Sequence, residues 1–193
     1  MILQTGLRTD IPAFYTPWFL RRVEEGFVLA RNPYNPQQIT RYRLAPDVVD
    51  CIGFCTKNPA PMLPHMGKLA GFGQHWFVTI TPYGADIEPH VPPKEQVMAD
   101  FRRLSAILGS RCVAWRYDPI LLTDVYTVER HLADFATMCA ALEGATDVRG
   151  MYVDESDTGL SFRSSRGFLL LGGGGHRTGK QGGGWAELEA FGA

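Results

Sequence analysis

The chain has 193 residues, 45% of them hydrophobic, and a formal net charge of −1 at pH 7, which is enough for one domain with a real core. That balance supplies no global pull toward nucleic acid or an anionic membrane, and no apolar run reaches the roughly 20 residues that span a bilayer. The N-terminus lacks the basic and apolar regions of a signal peptide, so the expected location is the cytoplasm.

In chain order, the sequence predicts a first strand at about 1–5, leading into Gly6-Leu7-Arg8-Thr9-Asp10-Ile11-Pro12. A helix follows with Thr16 as N-cap, Pro17 at its first position, Phe19 and Val23 on the buried side, and Gly26 as its stop. Phe27 to Ala30 reads as a second strand, closed by Arg31-Asn32-Pro33-Tyr34-Asn35-Pro36, whose two Asn-Pro pairs bias the chain toward turns. Residues 38–43 read as a short extended piece and Pro46-Asp47 as a helical turn before a strand at about 49–54. After Thr56-Lys57-Asn58-Pro59 comes a short helix at 61–69 interrupted by Pro64, then a strand from His75 to Thr81 and the loop Pro82-Tyr83-Gly84, which continues through Asp86, Glu88 and His90.

Residues 94–108 carry the clearest helical pattern, with Val97, Phe101, Leu104 and Leu108 on one face and Gly109 as the stop. A strand at 112–116 leads to Asp118-Pro119. The next helix runs from the N-cap Thr127 to Leu142, with Val128, Leu132, Phe135, Cys139 and Leu142 directed inward, and Val148 to Val153 forms a further strand. This alternation implies a parallel sheet with right-handed crossovers. The expected architecture is an α/β partial barrel over residues 1–154, incomplete at its C-terminus.

Four of these strands end in polar, proline-closed motifs, and in parallel α/β proteins ligands gather at the carboxyl ends of the strands. The candidate binding residues are therefore Arg8, Asp10, Thr56, Lys57, Asn58, Thr81, Tyr83, Arg116 and Asp118. Lys57 stands out as an anion contact because its strand carries no carboxylate beside it. Arg116 and Asp118 fit either a ligand contact or a mutual ion pair at the rim, and Asp10 either a ligand contact or backbone amides of the Ile11-Pro12 turn. Tyr83 and Tyr117 are expected in the pocket wall. His65, His75, His90 and His131 lack ligand spacing, so no metal site is expected. The expected partner is a small molecule; Arg8, Arg31, Lys57 and Arg116 with their aromatic neighbours would also suit a nucleic-acid groove, a reading that the negative balance disfavours.

Cys51 and Cys55 form a C-x3-C pair, but four residues along one strand separate them by about 13 Å, too far to share an ion. All four cysteines are expected as buried thiols. Beyond about residue 155 the composition changes: residues 159–193 hold 11 of the 21 glycines and none of the 13 prolines. Residues 155–193 are expected to be a disordered or non-native tail, the product of a shifted frame or early stop. Gly174 to Gln181 approximates a phosphate-binding loop but ends in Gln181 where a Ser or Thr would hold magnesium, and is read as chance.

The motifs Arg8-Thr9-Asp10-Ile11-Pro12-Ala13-Phe14-Tyr15, Arg31-Asn32-Pro33-Tyr34-Asn35-Pro36, Thr56-Lys57-Asn58-Pro59, Thr79-Ile80-Thr81-Pro82-Tyr83-Gly84 and Trp115-Arg116-Tyr117-Asp118-Pro119-Ile120-Leu121 occur in order. Together they resemble the microbial domain-of-unknown-function family numbered eighteen forty-eight over residues 1–154. The resemblance implies a barrel related to radical S-adenosylmethionine enzymes, spore photoproduct lyase among them, with a four-iron cluster on a C-x3-C-x2-C motif and S-adenosylmethionine as cofactor. This chain contains no such cysteine motif, and it has Gly6 and Leu7 where the family usually carries a serine and a second arginine. The resemblance therefore implies a fragment without a cofactor of its own, inactive in cluster chemistry. The alternative is a cluster-free module that binds a phosphorylated or carboxylated small molecule through Lys57, Arg116 and Arg8.

Overall fold

A computed structural model describes residues 1–6, 9–32, 34–153 and 169–172. The expectations for Arg8 and for most of the tail lie outside the described residues. Eight strands and four α-helices occur among them: β1 (Ile2–Gln4), α1 (Ile11–Phe14), α2 (Thr16–Glu25), β2 (Phe27–Arg31), β3 (Ile39–Arg43), β4 (Cys51–Thr56), β5 (Gly73–Thr79), α3 (Lys94–Leu108), β6 (Val113–Tyr117), α4 (Val128–Ala141), β7 (Val148–Val153) and β8 (Leu169–Gly172). The segment Leu63–Leu69 is a 3-10 helix, as suits a stretch broken by Pro64.

Six strands form one sheet in the order β1-β4-β5-β6-β7-β8, and every neighbouring pair is parallel. All six carboxyl ends therefore share one edge. The helical crossovers follow from local chemistry. Helix α2 ends at Gly26, whose φ of 74° a side chain would resist, and α4 starts at Thr127, whose hydroxyl accepts the Arg130 N–H.

Alternation along the strands gives the sheet two unlike faces. Ile52, Phe54, Trp76, Val78, Val113, Trp115 and Tyr117 share the face covered by helices and are fully buried. Phe54 stacks on Trp76 at 4.2 Å and meets Phe19 of α2 edge-on, while Trp115 stacks on Phe135 of α4 at 5.0 Å. The other face carries Cys51, Cys55, His75, Phe77, Thr79 and Arg116, all half-buried.

Three sequence expectations change. The predicted second strand is not in the parallel sheet: β2 pairs antiparallel with β3 in a separate hairpin, and β4 lies directly beside β1. Its residues lack the two-sided burial that a central parallel strand needs. Helix α4 keeps Phe135, Cys139 and Leu142 of its predicted inward face but not Leu132. Leu132 is 47% exposed, whereas His131, Met138 and Leu142 are buried with Phe135 packed against the core; the hydroxyl of Tyr117 gives the His131 ring a polar partner inside. Finally, Asp10 starts an unanticipated short helix, its Oδ1 accepting the Ala13 N–H at 2.9 Å before α2 begins at Thr16 with Tyr15 as its cap.

Candidate functional site

The polar residues at the carboxyl edge are joined by hydrogen bonds that cross strands. Asp10, just beyond β1, turns its Oδ2 to β4, where it accepts the Thr56 hydroxyl at 2.9 Å and the Lys57 N–H at 2.8 Å. One carboxylate thus caps a helix and fixes the end of the neighbouring strand. Asn58 shapes the following turn: its N–H donates to Thr56 Oγ1 and its Oδ1 accepts from Ala60 N–H.

Lys57 extends from β4 to the loop after β5, where its ammonium pairs with Glu88 Oε1. The other oxygen of Glu88 accepts the Thr81 hydroxyl at 2.7 Å. Sequence reasoning looked for a carboxylate on Lys57's own strand and so missed Glu88. The readable signal was an acidic residue in the loop after the adjacent strand. Glu88 is mostly buried, while the Lys57 side chain keeps 34% of its exposure.

On β6, Arg116 pairs with Asp118 at 2.7 Å, and Asp118 Oδ1 is buried with no hydrogen-bond donor among the described residues. Arg116 stands beside Thr79 of β5 and reaches the Cys55 thiol on the same face of the sheet. Burial pushes that thiol up, and the Arg116 guanidinium and the Gln4 amide oppose the shift without cancelling it. Gly6 packs so closely here that a Cβ on it would sit 2.4 Å from Cys55 Cβ. A larger residue at this position would force Cys55 to move.

Tyr83 fixes the loop after β6. Its hydroxyl donates to the Pro119 carbonyl at 2.8 Å and accepts the Leu121 N–H at 2.6 Å. From the other side, His131 Nε2 lies 3.1 Å from the Leu121 carbonyl, which can only accept. The ring proton is therefore on Nε2, and Nδ1 accepts the Tyr117 hydroxyl at 2.9 Å. Burial raises the phenol pKa of both tyrosines, which keeps them as donors. Tyr126 completes the clamp, donating to Asp86 and accepting from Gly84 N–H.

A cleft of about 260 Å³ opens between this edge and the N-terminus of α3, lined by Thr79, Thr81, Tyr83, Glu88, Lys94 and Val97 among others. Of the predicted site residues, Thr81 and Tyr83 line it. Lys57 adjoins it through Glu88, and Asp10, Thr56 and Asn58 support Lys57. Arg116 and Asp118 lie on the far side of β5 from Lys57, on the same edge.

These linked motifs correspond to a family model described as domain of unknown function (DUF1848), which matches residues 2–153. The chain belongs to this family. The matched residues of this DUF1848 chain include every element from β1 to β7 and all described members of the carboxyl-edge network. No curated protein and no solved structure matches it.

A four-iron cluster needs three thiolates converging on one point. Among the described residues no three His, Cys, Asp or Glu side chains are so placed. Cys51 and Cys55 are separated along β4, and Cys55 is engaged by Gln4. The described donor set does not fit the cluster.

Proposed function

We propose that the carboxyl edge of this DUF1848 domain binds a small molecule bearing a phosphate or carboxylate, without cluster chemistry among the described residues. The observation that carries the reading is Lys57: it is anchored by Glu88, yet a third of its side chain remains exposed at the strand ends beside the cleft. An ammonium has three donors, so the bond to Glu88 leaves two for a ligand. Glu88 thereby pre-orders the cation instead of using it up, which lowers the entropy lost on binding. Arg116, one strand beyond β5 and held by Asp118, is a second partly exposed cation on the same edge. We read the parallel sheet as part of a (β/α) barrel, with its half-buried face of Cys55, Phe77, Thr79 and Arg116 as the barrel interior.

Thermal-shift measurements against phosphorylated and carboxylated metabolites, with S-adenosylmethionine among them, test the reading. A ligand at about 100 times its Kd adds about 2.7 kcal/mol to stability, and Lys57→Met is expected to abolish the shift. Equal shifts in the native chain and Lys57→Met, or no shift with any anion, would overturn it.

A further inference from the structure

The β2–β3 hairpin lies apart from the carboxyl edge. Leu44 N–H at its base bonds Gly26 O, and the next turn meets Met1, where Val48 O and Asp50 bond the N-terminal ammonium. This is the amino edge of β1, so the hairpin is independent of the small-molecule reading. Residues 26–46 contain Arg31, Arg41 and Arg43 and no Asp, Glu or Lys, in a chain of net charge −1.

Strand pairing sorts these side chains. Phe27 faces Arg43, Leu29 faces Arg41 and Arg31 faces Ile39, whereas Val28 with Tyr42 and Ala30 with Thr40 alternate between them. Directly opposed residues share a face, so all three arginines and three apolar residues occupy one side of the ribbon. Strand β3 is exposed throughout. The Arg41 guanidinium rests 4.2 Å from the centre of the Phe27 ring, which holds it along the surface. At the tip, Asn32 Oδ1 accepts the N–H groups of Tyr34 and Asn35, and its amide donates to Gln38. This turn presents Tyr34 with 95% exposure.

We propose that this face binds single-stranded nucleic acid, with Arg41 and Arg43 on phosphates and Tyr34 stacked on a base. The two arginines are roughly 6.8 Å apart by strand rise, and a guanidinium grips phosphate through two N–H groups at once. A bare aromatic at the tip of a basic ribbon gives a π-face that a splayed base covers and a paired one does not. The exposed Gln37 amide beside it adds a donor and an acceptor for a base edge, while Asn35 Oδ1 accepts the Gln37 N–H at 3.3 Å and leaves its NH2 as a donor. The absence of acid from the hairpin suits a polyanion. At its base, the exposed Arg43–Asp47 ion pair at 2.9 Å places one carboxylate against the proposed phosphate path.

Fluorescence anisotropy on the full chain, with labelled single strands of about 16 nucleotides, tests this. Arg41→Gln/Arg43→Gln is expected to weaken binding at least about tenfold and to flatten the dependence on log salt by about 0.7 per arginine removed. Tyr34→Ala is expected to weaken it by about tenfold through lost stacking. Asp47→Asn, at an exposed position, is expected to tighten binding, a gain that misfolding cannot produce. Equal affinity for the native chain and the double arginine variant would overturn the proposal, as would no gain from Asp47→Asn, or competition by duplex DNA or polyglutamate as strong as by the single strand.

Discussion

The two faces of the parallel sheet are built from alternate residues of the same strands, and they differ in almost every property. One is aromatic and aliphatic, closed by helices, with Trp76, Trp115 and Tyr117 fully buried. The other mixes thiols, an imidazole, a hydroxyl and a guanidinium, and stays half-open. Parallel sheets normally bury both faces, so the contrast separates the surface that holds the fold from one that the described residues leave half-buried. The polar network lies at the edge where the two meet.

The largest expected effect is on the closed face. Trp115→Ala or Phe54→Ala should cost about 3 to 5 kcal/mol in denaturant unfolding, and Phe77→Ala on the open face about half that or less. Equal losses would erase the distinction. At the edge, Asp10→Ala removes a helix cap and the acceptor of the Thr56 hydroxyl and Lys57 N–H. The expected loss is about 2 kcal/mol, and a value near zero would show that water replaces the carboxylate fully.

Lys57→Met leaves the mostly buried Glu88 without its cation and should lower stability by about 1 to 2 kcal/mol, between the values for exposed and buried pairs. Adding Glu88→Gln should restore part of it. No recovery in the double variant would mean that Lys57 contributes through packing alone.

The smallest effect concerns acid stability. His75 sits on the open face with Nε2 buried and no partner for it among the described residues, and burial depresses its pKa. The unfolded chain therefore takes up the proton first. Stability from the neutral ring is present above the unfolded value of about 6.5 and is lost as pH falls toward the folded one. His75→Phe should flatten the acid limb of the stability profile below that pH, and an unchanged limb would place the ring in contact with water.

The DUF1848 membership rests on short motifs written in the sequence, and the alternation of strand and helix that predicts an α/β fold with parallel strands is legible there too. Helix α3 was readable to its ends, because its apolar positions follow one period and Gly109 stops it. Helix α4 was readable to its ends as well, from the Thr127 cap to Leu142, but the place of residue 131 was not, because His131 is a polar letter in a buried place and only the Tyr117 hydroxyl and the Leu121 carbonyl make that burial tolerable. The same limit hid Glu88. Sequence spacing places Asp10, Lys57 and Arg116 at strand ends, but ion pairing acts through space, and Glu88 is 31 residues from Lys57. Both extended segments of the hairpin were legible, but their pairing was not: β2 has a strand's composition, and only its exposure in the folded chain separates it from the strands of the main sheet. Local propensity thus determined the elements and their motifs. Tertiary packing decided their partners, because burial, register and long-range charge pairing have no signature in any single stretch of chain.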